Sequence, residues 1–373
     1  MAPLASSKLF LPITVGNVRL EHRIVMAPLT RTRADSSHVH RGIGVEYYSQ
    51  RASTPGTLII SEATFISQKA SGIPNPPGIW SPEQIQGWRK VIEAVHARGW
   101  FIFCQLWALG RAASPRVLAE TGNDYPSASA IPLGEEKAPR PLSIEEIREY
   151  VQDYTQAARN AIEAGFDGVE LHAGHGYLPD QFLQDVTNQR TDAYGGSIEN
   201  RTRFVLEILE SISNAIGQSR TAVRFSPWSK FQEMRMSDPL PTFTHVLASL
   251  STSLPNLAYI SLTEPLVFGD NDSAKVTLSD SNEPFRQIWA PRPVILGGGY
   301  SNNNNLDRAV HLANDKGVLI LFGRAFISNP DLPQRFKKGI NFTPYDRKTF
   351  YSQGPEKSEG YIDYPFATER PSL

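Results

Sequence analysis

Short apolar runs rich in β-branched and aromatic residues recur along the chain: Ile24 to Pro28, Thr57 to Thr64, Phe101 to Trp107, Gly168 to Ala173, Ala222 to Pro227, Leu257 to Thr263, Pro293 to Gly297 and Gly317 to Gly323. A run that is apolar at consecutive positions, not alternating ones, describes a parallel strand covered on both faces. Amphipathic stretches with helix signals lie between them. Ser81-Pro82 opens one that continues through Ala97 and stops at Gly99, and Ser143-x-x-Glu146 is a capping box opening another through Ala164 that stops at Gly165. Eight βα units without a repeat period or a Gly/Ser linker predict an α/β chain folded as one (β/α)8 TIM barrel, residues 1–373. A doubly wound dinucleotide fold would need GxGxxG after its first strand, and no such motif is present. Two stretches exceed the minimal barrel. Ala108 to Pro141, after the third strand, is expected as an inserted lid or pocket wall on the C-terminal face, and the polar stretch Leu266 to Asn282 follows the sixth strand. The run Asn302 to Asn305 reads as a helix-capping turn.

Composition narrows the function classes. With 37 Lys+Arg against 38 Asp+Glu, a formal net charge of −1, the chain lacks the basic excess that nucleic acid or an anionic membrane surface requires. The single cysteine, Cys104, cannot form an internal disulfide and lies in an apolar run, so an inert buried thiol and a reducing compartment are expected. No apolar run approaches the ~20 residues that span a bilayer, and the N-terminal residues do not read as a secretory signal. The last three residues, Pro371-Ser372-Leu373, differ from the peroxisomal Ser-Lys-Leu at two positions, so a cytoplasmic location is expected.

In such a barrel the active site is built at the C-terminal ends of the strands. The polar or bare positions there are Thr30, Glu62 and Ala63, Gln105, the group His172, His175 and Tyr177, Arg224, Glu264, Gly298 and Gly299, and Gly323 with Arg324. The glycines after the last two strands, together with Arg324, offer backbone amides and a forked cation where barrels commonly hold a phosphate; without the cation they would be equally good strand ends. Arg224, inside a strand, needs either an anionic ligand or an internal partner such as Glu170 or Glu264. His172 and His175, with Tyr177 two residues on, could bind a metal, donate to an oxyanion or be structural. The sequence has neither HExxH nor an early His-x-His pair, so no metal is expected, and two donors converging beside a phenol suit a reaction passing through an enolate.

The chain resembles the Old Yellow Enzyme group of FMN-dependent ene-reductases. The resemblance rests on Ala27-Pro28-Leu29-Thr30-Arg31, Glu46 to Arg51, Gln105-Leu106-Trp107, His172 to Tyr177, Asp192 to Arg201, Arg224 to Pro227, Gly323-Arg324 and Gly360 to Pro365. It implies that Pro28, Thr30, Ala63 and Gln105 hold the isoalloxazine ring, with Thr30 near its C4 carbonyl and Gln105 on the pyrimidine edge. Arg224 would face the N1–C2 side, and Gly298, Gly299, Gly323 and Arg324 would bind the FMN phosphate. His172 and His175 would grip a substrate carbonyl or a phenolate, Tyr177 would be the proton donor, and Trp107 and Tyr361 would shape the pocket above the flavin.

Many members carry Asn where this chain has His175, and a residue with a side chain often replaces Gly299. The segments 108–141 and 266–282 match weakly. The Phe101 to Trp107 stretch and Gly110-Arg111-Ala112-Ala113 look most like fungal members, including chanoclavine-I aldehyde reductases of ergot-alkaloid pathways. In that branch Phe at the Tyr177 position goes with isomerase behaviour, so a tyrosine favours a reductase.

The resulting expectation is an FMN enzyme of secondary metabolism, monomer or homodimer, that reduces the C=C bond of an enone or enal with NADPH. The rival readings are a redox-neutral flavin isomerase or a biosynthetic oxidase, then a metal-dependent barrel hydrolase, and least of all a non-catalytic flavin-binding scaffold.

Overall fold

A computed structural model describes residues 3–267, 280–301 and 305–367. Eight strands, all parallel, close into a barrel. They are β1 (Ile24–Met26), β2 (Leu58–Ile60), β3 (Phe101–Trp107), β4 (Gly168–Ala173), β5 (Thr221–Phe225), β6 (Tyr259–Thr263), β7 (Val294–Gly297) and β8 (Val318–Phe322), each paired with the next in sequence, and β8 pairs back with β1. The (β/α)8 TIM barrel expected from the apolar runs is therefore the fold. Every strand residue except Phe101 and Arg224 is buried, which is why the runs are continuous and not alternating.

Inside the barrel Val25, Leu58, Phe103, Ala222, Tyr259, Ile295 and Leu319 fill the lower part. An antiparallel hairpin, Ile13–Val15 with Val18–Leu20, packs Val15, Val18 and Leu20 against them and plugs the N-terminal end. A site is therefore expected at the C-terminal end, where barrels of this kind build theirs.

Local signals set the helix ends. Pro82–His96 starts with a reciprocal capping box between Ser81 and Gln84, and Ile144–Ala164 starts with one between Ser143 and Glu146 and ends at Gly165, whose φ of 108° suits a residue without a Cβ. The second strand is shorter than its apolar run. Hydroxyls of Ser61 and Thr64 both donate to the Glu62 carbonyl, so the ladder breaks there, and Thr64–Phe65 resumes as a separate short strand beside Leu106–Trp107.

The stretch 108–141 contains a 3-10 turn (Gly110–Ala112), a short helix (Pro115–Glu120) and a small parallel pairing of Pro126–Ser127 with Arg140–Pro141. Of the polar stretch 266–282, residues 268–279 lie outside the described residues, as do residues 302–304 of the asparagine run and the C-terminal Pro371-Ser372-Leu373. No helix among the described residues is long and apolar enough to cross a membrane.

Candidate active site

A cavity of about 510 Å³ opens at the C-terminal end of the barrel. Pro28, Thr30, Ala63 and Gln105 line it from the first three strands and their loops. His172, His175, Tyr177 and Arg224 line it from β4 and β5, Gly298, Gly299, Gly323 and Arg324 from the ends of β7 and β8, and Trp107 from the end of β3. Residues as far apart in the sequence as Pro28 and Arg324 meet there because strand order follows chain order around the barrel.

Register explains the polar level above the apolar plug. Gln105 sits opposite Glu170, and Arg224 sits opposite His172. Gln105 Nε2 donates to Glu170 Oε1 at 2.7 Å, which leaves the Gln105 amide oxygen as an acceptor for a ring N–H. Burial raises the Glu170 carboxyl above its ordinary range, and the Arg224 charge pulls it back down. Arg224 reaches Thr263 Oγ1 at only 3.4 Å, and its Nε has no hydrogen-bond partner among the described residues. Glu264, considered as its internal partner, instead accepts from Arg308 at 2.9 Å and from Asn282 at 3.2 Å.

The two imidazoles stand with ring centroids 5.7 Å apart, and the Tyr177 ring lies 4.8 Å from that of His172. Burial drives the His172 pKa well below the ordinary imidazole range, helped by His175 and Arg224, and burial with Arg224 lowers His175 to about 3. Both rings are therefore neutral donors near pH 7. His172 Nδ1 is buried without a partner among the described residues. The loop carrying the second imidazole is bent: His175 has φ 56° and Gly176 φ 78°, and Ser226 Oγ accepts from the His175 N–H at 2.6 Å. Trp107 packs its edge against Tyr177 at 4.9 Å while stacking on Phe65 at 4.8 Å, which fixes the phenol ring from behind.

Tyr361 departs from expectation. It is fully buried and outside the cavity lining, with its ring stacked on Tyr47 at 4.1 Å and the guanidiniums of Arg31 and Arg33 over it at 5.2 and 5.0 Å. These buried cations donate to carbonyls of Phe350, Gly360 and Thr349, so they pull the C-terminal segment inward and take the aromatic ring as part of their cage. The upper wall is made by Phe350, Tyr351 and Gln353 instead, with Phe231 also lining the cavity. Sequence reasoning did not single out these wall residues, because an aromatic in a loop looks the same whether it lines a pocket or not.

The residues present fit FMN. Arg224 Nε and His172 Nδ1 are buried donors or acceptors that the described residues leave unmatched, as expected of a cavity that takes a polar planar ligand. At the rim where the resemblance places the phosphate, Gly298 and Gly299 have φ of 122° and 78°, and a Cβ at Gly298 would come within 3.0 Å of Val267, so these positions present bare amides. No group of three or more metal-ligating side chains occurs among the described residues.

Comparison with known proteins agrees with this chemistry. Residues 8–343 match the model of the NADH:flavin oxidoreductase / NADH oxidase family. The NADP-dependent oxidoreductase lnbE of Aspergillus flavus is 51% identical, covering 98% of each chain. The chanoclavine-I aldehyde reductase fgaOx3 of Penicillium roqueforti is 49% identical, covering 97% of each. The crystal structure of Old Yellow Enzyme from Pichia sp. superposes with a TM-score of 0.92 at 38% identity, covering 99% of this chain and 96% of that one. The chain belongs to the NADH:flavin oxidoreductase / NADH oxidase family and, within it, to the fungal FMN-dependent oxidoreductases of the Old Yellow Enzyme type.

Proposed function

We propose that the protein reduces the C=C bond of an α,β-unsaturated carbonyl compound, an enone or enal, with NADPH as reductant. The observation that carries this reading is the convergence of two imidazoles and a phenol on one cavity that also holds the Gln105, Arg224 and glycine-rim groups suited to FMN. Pro28, Thr30, Ala63 and Gln105 would hold the ring, Arg224 its polar edge, and Gly298, Gly299, Gly323 and Arg324 its phosphate. When bound, FMN supplies the two-electron hydride chemistry that no side chain of the cavity can provide.

The protein's own contribution is binding and proton management. His172 and His175 donate to the substrate carbonyl oxygen, so negative charge arriving there is met by fixed dipoles and not by water that must reorient. Their neutrality matters, since a donor that stays uncharged binds a neutral carbonyl without the cost of burying a cation. Tyr177 Oη holds the proton that the α-carbon takes when hydride has reached the β-carbon; a phenol is protonated at neutral pH and needs no tuning for this. Trp107 holds the Tyr177 ring. NADPH as the donor is supported by the relative described as NADP-dependent. Purified protein incubated with FMN, NADPH and 2-cyclohexenone should consume one NADPH per saturated ketone. Isomerised product without net NADPH use would replace the reductase reading with the redox-neutral one.

A further inference from the structure

The short helix Leu178–Leu183, which follows Tyr177 directly, is buried at every residue, including the polar Asp180 and Gln181, and so is Gln184 at its end. Fully buried polar side chains are retained where they are hydrogen-bonded, and each side-chain oxygen and nitrogen of these three has a partner. Asp180 Oδ2 accepts from the Gly176 N–H at 2.9 Å, and Asp180 Oδ1 accepts from Gln184 Nε2 at 2.9 Å. Gln184 Oε1 in turn accepts from the N–H groups of Arg235 and Met236, at 2.9 and 3.0 Å. Only an oxygen can accept from two backbone N–H groups, so the orientation of the Gln184 amide is set by its partners.

Both ends of this chain of bonds are bent backbone that does not hold its shape unaided. His175 has φ 56° at one end, and Gln232, Glu233 and Arg235 have φ of 56°, 56° and 83° at the other. Residues other than glycine in the left-handed region persist where their surroundings over-determine them. The first bend delivers His175 and Tyr177 to the cavity, and the second delivers Phe231.

We infer that Asp180 and Gln184 are positioning residues whose buried hydrogen-bond relay holds the Tyr177 loop and the Phe231 wall as one unit, so that proton donor and substrate fit are set together. The hydrogen-bond relay stands on geometry alone; its consequence for catalysis rests on the proposed role of Tyr177. Gln181 strengthens the same helix by donating to the carbonyls of Leu109 and Gly176 and accepting from the Arg111 N–H and Ser127 Oγ. Arg111 closes the circuit from the other side, donating to the Gln232 carbonyl at 2.7 Å. Burial pushes the Asp180 carboxyl up to about 7, so its charge is not favoured where it sits, and a neutral replacement tests hydrogen-bond polarity more than lost charge.

The relay has a polarity that can be reversed. Asp180→Asn keeps an oxygen for Gly176 but sets an amide N–H₂ against Gln184 Nε2, whereas Gln184→Glu keeps the acceptor for Arg235 and Met236 but replaces the N–H donor to Asp180 by a carboxyl group, so that the two can bond only by sharing a proton. In the double variant the new amide at position 180 donates to the new carboxylate at position 184, and every bond returns. The experiment is amide hydrogen exchange, read by mass spectrometry on the FMN-loaded protein, in segments containing Gly176 and Arg235–Met236. Asp180→Asn is expected to speed exchange in both segments by about tenfold, the scale of one lost buried hydrogen bond, and the double variant to restore it. Loosening confined to the segment touching the changed residue, or a double variant as loose as that single, overturns the relay. Should a single variant fail to fold, the double decides: parent-like folding and exchange support the relay, and failure of both overturns it. In the catalytic arm, Asp180→Asn should slow reoxidation by 2-cyclohexenone in the parent but not further in Tyr177→Phe; additive losses would mean that Asp180 does not act through Tyr177. If the parent does not reduce the enone at all, the proposed function fails while the exchange result still judges the relay.

Discussion

The floor and the wall of the cavity are built on different principles. The floor groups Gln105, His172 and Arg224 stand on β3, β4 and β5 at matching register, above a barrel interior packed with apolar side chains. Their placement follows from strand order and needs little else. The wall groups Phe231, Phe350, Tyr351 and Gln353 lie outside the barrel strands. Their loops are held by buried polar side chains: Gln184 and Arg111 on the segment 232–236, and Arg31 and Arg33 on the segment 349–360. The cofactor-facing groups are thus fixed by the barrel, whereas the wall, together with His175 and Tyr177 on the loop after β4, depends on loop anchors, so changes at the two places should break different things.

The largest effect should come from the histidine pair, one ring on β4 and the other on the loop that follows it. Replacing both His172 and His175 by Ala would remove the two proposed carbonyl donors, each worth ~3 kcal/mol of barrier in sites of this kind, although paired losses do not add cleanly. Reoxidation of reduced protein by an enone should fall by about a thousandfold or more, and the long-wavelength charge-transfer band expected with a bound phenol should vanish. A band of parent strength in the double variant would move the carbonyl grip elsewhere.

A change in the wall should act more gently and more selectively. Phe231→Ala is expected to alter KM for a bulky enone by roughly tenfold relative to a small one, the range available to apolar pocket contacts, with the flavin spectrum unchanged. An equal loss on every substrate would place Phe231 in the floor's work and erase the distinction.

The electrostatic state of the floor can be read without turnover. Because burial holds His172 well below and His175 at about 3, imidazole ¹⁵N shifts should report neutral rings throughout roughly pH 5 to 8, where an unperturbed histidine titrates. Burial disfavours the charged form and displaces protonation to lower pH, so the neutral form, with one N–H donor on each ring, is complete across this window. Titration of either ring near 6.5 would contradict the neutral pair.

The smallest effect is expected at Tyr361. Its hydroxyl has no hydrogen-bond partner among the described residues and its ring lies outside the cavity, so Tyr361→Phe should leave kcat and KM for the enone within about twofold, as substitutions away from special features usually do.

The same division governs what was legible beforehand. Strands such as Gly168–Ala173 could be read because every residue is buried, and the Ile144–Ala164 helix because its capping box and its terminal glycine bracket it. Floor residues were legible as polar positions ending apolar runs. Tyr361 was misplaced because a buried ring caged by arginines and a ring facing a ligand leave the same trace in a sequence. Asp180 and Gln184 were passed over for a related reason: polar residues on a short helix ordinarily face water, and only burial shows that these hold loops. Ser226, which fixes the His175 N–H, lay inside a recognised motif without a role, since its partner comes from another strand end.

The central claim is that Tyr177 delivers the proton to a substrate held by the histidine pair, and stopped-flow traces of the two half-reactions in Tyr177→Phe test it most directly. Reduction of bound FMN by NADPH should stay near the parent rate, because the missing hydroxyl takes no part in it. Reoxidation by 2-cyclohexenone should slow by ~100-fold or more, the scale of a lost general acid. Reoxidation at the parent rate, or a collapse of the NADPH step instead, would contradict the account.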